Sequence, residues 1–137
     1  MHKHIFVVQK HDASHLHYDF RLKIGNVLKS WAVPKGPPTK LNEKRLAIPT
    51  EDHPLAYATF SGTIQEGNYG AGTVKIWDHG TYYSLKQESL EESYDNGRME
   101  IWLEGKKLTG PYALIKTHLG DNNWLLFKIK KTGLQKT

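Results

Sequence analysis

The chain has 137 residues, 38% of them apolar and 24% charged, which suits a single globular domain over residues 1–137 rather than a disordered or fibrous chain. Its lack of cysteine excludes disulfides, thiolate metal sites and a cysteine nucleophile, and no apolar run approaches the roughly 20 residues of a membrane span. A formal charge of +5 is compatible with a polyanionic partner without demonstrating one; eight histidines, three of them between His11 and His17, are the more unusual feature.

The N-terminus, Met1-His2-Lys3-His4-Ile5-Phe6, lacks the apolar stretch of a signal peptide, so the cytoplasm is the expected compartment and no membrane partner is expected. Ile5–Gln9 is apolar and β-branched and predicts a first strand. From His17 to Ile24 the alternation is strict: His17, Asp19, Arg21 and Lys23 point one way, Tyr18, Phe20, Leu22 and Ile24 the other. Gly25-Asn26 predicts a two-residue hairpin turn into Val27–Val33, and Pro34-Lys35-Gly36-Pro37-Pro38 opens a loop reaching about Glu43. Further strands are expected at Arg45–Ile48, Leu55–Ser61, Thr73–Asp78 and Thr81–Lys86. Gln65–Gly72 is glycine-rich but lacks the spacing and ending of a phosphate-cradling loop, so a tight bend between strands is expected there. Gln87–Asn96 predicts the single helix, stopped by Gly97, and Arg98–Leu103, Pro111–Lys116 and Asn123–Lys130 complete the strands. Many short strands with closely spaced turns imply an all-β antiparallel fold, and a β-barrel with one short helix is the choice that removes exposed sheet edges.

The polar face of His17–Lys23 carries imidazole, carboxylate and guanidinium in succession, with about 6.6–7 Å between alternate residues. His17 and Asp19 can then converge on one ion while Arg21 reaches a ligand beside it. His11, placed beyond the end of the first strand, is a third candidate ligand that a loop would bring back. Two imidazoles and a carboxylate suit Mn²⁺, Fe²⁺ or Zn²⁺ better than Ca²⁺. The competing reading is a surface ladder of charges. His15, His2, His4, His79 and His118 are read as ordinary loop or surface histidines. In Glu51-Asp52-His53-Pro54-Leu55-Ala56-Tyr57, His53 and Tyr57 are four apart and can share a strand face. Lys35 and Arg45 are candidate anion ligands, although such residues are more often solvated charges.

These residues also carry a resemblance. Phe6-Val7-Val8-Gln9-Lys10-His11-Asp12-Ala13, Leu16-His17-Tyr18-Asp19-Phe20-Arg21-Leu22 and Leu28-Lys29-Ser30-Trp31-Ala32-Val33-Pro34-Lys35-Gly36-Pro37 are similar to motifs of the 3′-phosphoesterase domain of bacterial DNA ligase D, a domain that also has free-standing archaeal and bacterial versions. The similarity resumes at Glu51-Asp52-His53-Pro54-Leu55, at Gly67-Asn68-Tyr69-Gly70-Ala71-Gly72-Thr73-Val74, at Ile76-Trp77-Asp78 and at Trp124-Leu125-Leu126, and so covers nearly the whole chain. The resemblance implies an antiparallel β-barrel and one divalent metal, Mn²⁺ first with Zn²⁺ or Co²⁺ as alternatives, held by His11, His17 and Asp19. It implies a phosphate pocket of Arg21, His53 and Tyr57, with Gln9, Lys35 and Arg45 in support. The implied activity is repair of DNA or RNA 3′ ends, including a primer-template: a terminal ribonucleoside is removed to leave a 3′-phosphate, which is hydrolysed to a 3′-OH. A separate DNA ligase is the implied functional partner. Two departures stand out. The chain begins almost at its first strand, without the charged segment that often precedes it in ligase D, so a weaker or differently organised diesterase step is expected. Gln65 replaces the family's usual proline, a loop variation without catalytic meaning.

The chemistry implied needs positioning and positive charge more than a protein nucleophile. Arg21 is expected to grip two phosphate oxygens as a fork, and His53 to donate a proton to the leaving oxygen or the transition state. Two other readings are open. His17, Asp19 and His53 have the form of the facial triad of a non-haem iron oxygenase, distinguished by whether His11 or His53 is the third ligand. A non-catalytic module that holds nucleic-acid ends on Trp31, Tyr57 and Tyr69 is the other.

Overall fold

Alternating apolar residues in the N-terminal third build three consecutive antiparallel strands, β1 (His4–Asp12), β2 (Leu16–Ile24) and β3 (Val27–Val33). A computed structural model describes residues 2–68, 71–118, 120 and 122–130. The remaining strands are β4 (Lys44–Pro54), β5 (Gly62–Ile64), β6 (Gly72–Ser84), β7 (Arg98–Glu104), β8 (Thr109–Lys116) and β9 (Trp124–Lys128). Neighbours run in the order β1-β2-β3-β4-β9-β8-β7-β6, and β6 pairs back onto β1, closing an antiparallel eight-stranded barrel with β5 as an extra strand along β6. The expected barrel is therefore the fold.

The interior is filled by side chains rather than open. Phe6 and Val8 of β1, Phe20 and Leu22 of β2, Trp31 and Val33 of β3, and Ile101, Tyr112, Leu114 and Leu126 from the far wall form one cluster. The α-helix among the described residues, α1 (Leu90–Asp95), packs onto this cluster: Leu90 is buried and Tyr94 meets the rings of Trp31 and Trp124. Ser89 caps its start: the hydroxyl accepts the Glu92 backbone N–H and donates to the Glu92 carboxylate. Gly97 follows the helix at φ 72°.

Several boundaries differ from expectation. The helix is shorter than Gln87–Asn96, because the chain is not helical before the Ser89 cap. The strands expected at Thr73–Asp78 and Thr81–Lys86 merge into one, β6, which ends at Ser84 and is irregular at Trp77, left without a partner between Val8 and Gln9 of β1. Leu55–Ser61 is not a strand. Leu55–Thr59 forms a 3-10 turn, so His53 and Tyr57 are not on one strand. The strand expected at Arg45–Ile48 continues to Pro54, which carries His53 in sheet. Gln65–Gly72 does join two strands, β5 and β6; Tyr69 and Gly70 within it lie outside the described residues. Gly72, at φ 137°, lets the connection close onto the β1–β2 turn: a Cβ there would run into the Asp12 carbonyl. Among the described residues, no helix is long and apolar enough to cross a membrane.

Candidate metal and phosphate site

Because Phe6, Val8, Phe20 and Leu22 face the core, the alternate residues Gln9 and His11 of β1 and Asp19 and Arg21 of β2 lie on the outer face of the barrel wall. Register then brings them together: His11 pairs with His17 and Gln9 with Asp19 across the two strands. His11 is thus in β1 itself and not in a loop beyond it, a correction with a simple cause, since the ladder continues through polar residues to Asp12. One nitrogen of each imidazole and one Asp19 oxygen lie within 4.8 Å of one another. His17 Nε2 is 3.2 Å from Asp19 Oδ1 and His11 Nδ1 is 3.3 Å from Asp19 Oδ2. Among the described residues this is the only such group of histidine and acidic side chains, and it includes His11 rather than the His53 that an oxygenase triad requires.

His17 Nδ1 is 3.1 Å from the His15 carbonyl, to which it donates, leaving Nε2 as the nitrogen turned to Asp19. His15 therefore serves the site through its backbone, not its side chain. The hydrogen bond to Asp19 raises the His17 pKa above its usual value, outweighing the opposite effect of burial. Burial by itself would raise Asp19, but the hydrogen bond from His17 and the charges of Arg21 and the two histidines hold its carboxyl below the usual range.

Arg21, 3% exposed, is fixed on all sides. Its Nε donates to Gln9 Oε1 at 2.6 Å and its Nη1 to Ser30 Oγ at 2.9 Å. Nη2 lies 3.4 Å from Asp19 Oδ2, and the guanidinium sits 4.9 Å from the centre of the Tyr57 ring. Gln9 is fully buried and not a ligand-facing group: its amide N–H donates to the Tyr57 and Phe60 carbonyls while its oxygen takes Arg21. It ties the 3-10 turn onto the barrel wall and aims the arginine. The free two-oxygen fork expected of Arg21 is not preformed, since each edge of the guanidinium already meets protein.

His53 arrives by a β-bulge. Ser30 pairs with Thr50 and Leu28 with His53, so two residues of β3 span three of β4. The extra residue puts His53, not Asp52, on the same face as Thr50. His53 Nδ1 lies 3.1 Å from Arg21 Nη1 and 3.0 Å from the Glu51 carbonyl; it accepts from the first as a bare nitrogen or donates to the second as N–H. Its ring packs against Tyr57 at 4.8 Å between centroids. Burial raises the Tyr57 pKa, which keeps the phenol a proton donor at neutral pH.

The groups share a cavity of about 370 Å³, within the range of small-ligand sites. Its charged side is His11, His17, Asp19, Arg21 and His53; Tyr57, Ala13 and Ile64 are its apolar wall, and Thr50 completes it. Sequence reasoning missed Thr50, Ile64 and Ala13, which carry no chemical signal of their own. Lys35 and Arg45 do not line this cavity: Arg45 Nη1 donates to the Lys35 and Gly36 carbonyls, and its Nη2 lies 3.6 Å from Glu43. Trp31 is 1% exposed in the core, so it offers no stacking face for a nucleic-acid end, and Tyr69 lies outside the described residues.

Residues 9–116 match the family model described as the DNA ligase D 3′-phosphoesterase domain. The chain belongs to this family. It is 50% identical over 127 residues to the multifunctional non-homologous end joining protein LigD of Pseudomonas aeruginosa, covering 91% of this chain and 15% of that protein. The corresponding DNA repair protein of Mycobacterium tuberculosis is 49% identical over 131 residues, covering 96% of this chain and 17% of the relative. The chain thus spans a small part of the length of these curated relatives.

Proposed function

We infer that the protein is a metal-dependent phosphoesterase of DNA repair that processes the 3′ ends of DNA or RNA, removing a terminal ribonucleoside and then hydrolysing the 3′-phosphate to a 3′-OH. One observation carries the reading: three ligating atoms within 4.8 Å share a cavity with a buried arginine and a histidine, in a chain of this family. The end-joining roles in the names of the LigD relatives support the repair context. A 3′-OH is what a DNA ligase consumes, so a ligase is the proposed partner.

The donor set fits one divalent ion. Ligands about 2.0–2.2 Å from a common centre stand roughly 3–4 Å apart, a spacing close to that of these three atoms, which lie within 4.8 Å of one another. His11 Nδ1, His17 Nε2 and an Asp19 oxygen would hold it. We favour Mn²⁺, with Zn²⁺ or Co²⁺ as alternatives. When bound, the ion supplies polarisation of a phosphoryl oxygen and a bound water of lowered pKa.

The protein's own groups do the rest. Arg21 holds a fixed positive charge where phosphoryl oxygens gather negative charge, and its buried partners stop it from following the ligand. A two-oxygen grip requires it to release His53 or Asp19. As an imidazolium His53 gives its Nδ1–H to the Glu51 carbonyl, which releases Arg21, and passes its Nε2 proton to the leaving oxygen, ending as the neutral ring. Tyr57, Ala13 and Ile64 offer apolar surface to the terminal sugar. The decisive assay is a 3′-ribonucleotide-tipped primer incubated with the chelated protein and a panel of metals. Manganese is expected to restore release of the nucleoside and then of phosphate. Turnover that survives chelation would reject the metal, and normal turnover by His17→Ala would reject the ligand set.

A further inference from the structure

Among the described residues only two buried side-chain polar atoms lack a hydrogen-bond partner, Trp31 Nε1 and Thr50 Oγ1. Trp31 lies among the aromatic rings of the core. Thr50 is different, because it lines the cavity that holds Arg21 and His53. Its residue is half-buried as a whole while its hydroxyl oxygen is shielded. An orphan hydroxyl in that position is a cost the fold would shed if the position asked only for packing, since valine has nearly the same shape.

The neighbours explain why the hydroxyl stays unsatisfied. Thr50 pairs with Ser30 across β3 and β4, but the Ser30 hydroxyl gives its one proton to the Leu28 carbonyl and accepts from Arg21. Ser30 therefore has no proton left to give Thr50. The methyl and hydroxyl of threonine share one Cβ, so a rotation about χ1 exchanges them between the wall and the cavity. Arg21, Ser30 and Thr50 form a row across β2, β3 and β4, which puts Thr50 one strand beyond the group that buttresses the arginine.

We propose that Thr50 is a substrate-binding residue whose hydroxyl turns into the cavity and donates to an oxygen of the bound terminal phosphate, beside Arg21 and His53. The inference rests on the phosphate reading of this cavity. It adds an aliphatic hydroxyl to the side of the cavity formed by Arg21 and His53. Turned into the cavity, the hydroxyl exchanges a shielded position against the wall for one that a phosphoryl oxygen can reach.

The test compares Thr50→Val and Thr50→Ser with the parent protein. One readout needs no turnover: the thermal midpoint with manganese, measured with and without inorganic phosphate. Thr50→Val is expected to melt at or above the parent without phosphate, and to gain clearly less from phosphate; Thr50→Ser is expected to regain the parent's increment. With a 3′-phosphorylated oligonucleotide, Thr50→Val should raise KM about tenfold, the size expected for losing a hydrogen bond to a charged oxygen. A structural hydroxyl would do the opposite, lowering the midpoint of Thr50→Val and leaving its phosphate increment intact, and that result overturns the proposal. A serine variant that behaves like the valine variant overturns it as well. The two readings separate cleanly. A parent protein that gains from phosphate through Thr50 but turns nothing over keeps the contact and removes the enzyme; one that turns over substrate while Thr50→Val matches it keeps the enzyme and removes the contact. A parent protein that neither gains from phosphate nor turns substrate over overturns both.

Discussion

Asp19 and Asp78 are equally hidden, 5% and 3% exposed, yet they serve different ends. Asp78 accepts three backbone N–H groups, from Lys106 at 2.9 Å, Lys107 at 3.1 Å and Leu108 at 2.8 Å, and so holds the turn between β7 and β8. Nothing can enter there: a Cβ on Gly105 would already run into the Asp78 carboxylate. Asp19 is surrounded instead by side chains, His11, His17 and Arg21, and it opens onto a cavity. A carboxylate satisfied by backbone amides stabilises a turn, whereas one satisfied by groups that can exchange a proton for an ion is ready for a ligand.

The sharpest way to break this contrast is to remove each carboxylate in turn. Asp19→Ala is expected to lower hydrolysis of a 3′-phosphorylated strand by at least about a thousandfold, because several kcal/mol of metal-derived stabilisation goes with it, while circular dichroism stays that of the parent. Asp78→Ala should do the reverse. Leaving three amide groups without an acceptor costs about 3 kcal/mol, roughly 10 °C in Tm by calorimetry, with turnover per folded molecule unchanged. If Asp78→Ala lost activity at full stability, the distinction drawn between the two would collapse.

Smaller changes sharpen it. Gln9→Leu keeps the ligands but frees Arg21 and the 3-10 turn, and should cost about tenfold to a hundredfold in kcat/KM with manganese affinity retained by calorimetric titration. The least of the effects is a pH slope. The His17 pKa is raised by its hydrogen bond to Asp19, so in the metal-free protein this pair stabilises fully below the ordinary histidine value and stops doing so as pH rises through the raised one. Asp19, lowered, adds its share above the ordinary carboxylate value and loses it as pH falls through the depressed one. Metal binding runs against the histidine trend, because the ion takes Nε2 only after its proton leaves. Apparent manganese affinity should therefore climb by up to about tenfold per pH unit across the interval in which the metal-free Tm declines. Parallel slopes in melts with and without manganese would place the proton elsewhere.

Much of the site could be read from one strand. The alternation from His17 to Ile24 separates the candidate ligands from core without reference to anything else, and it survives unchanged in β2. What escaped was set by pairing between strands. Polarity after Gln9 reads as the end of a strand and so puts His11 beyond it, whereas the β1–β2 register carries the strand through His11. His53 reaches the site only because β4 holds one residue more than β3 opposite it, and no local pattern marks that bulge. Leu55–Thr59 has strand-like residues but coils into a 3-10 turn, whose Tyr57 carbonyl is bonded by the Gln9 amide. Gln9 itself was legible as part of the site, but its duty of aiming Arg21 depends on contacts 48 residues away in sequence.

The chemistry is mounted on the outside of a wall whose inside is solid. Along β1 and β2, successive residues therefore answer to separate masters: one set must fill a volume, the next must meet a solute. A change in the second set leaves the packing of the first largely untouched. Such a scaffold can have its reactive surface rewritten while its folding stays nearly the same, a freedom denied to enzymes whose working groups are also their hydrophobic filling.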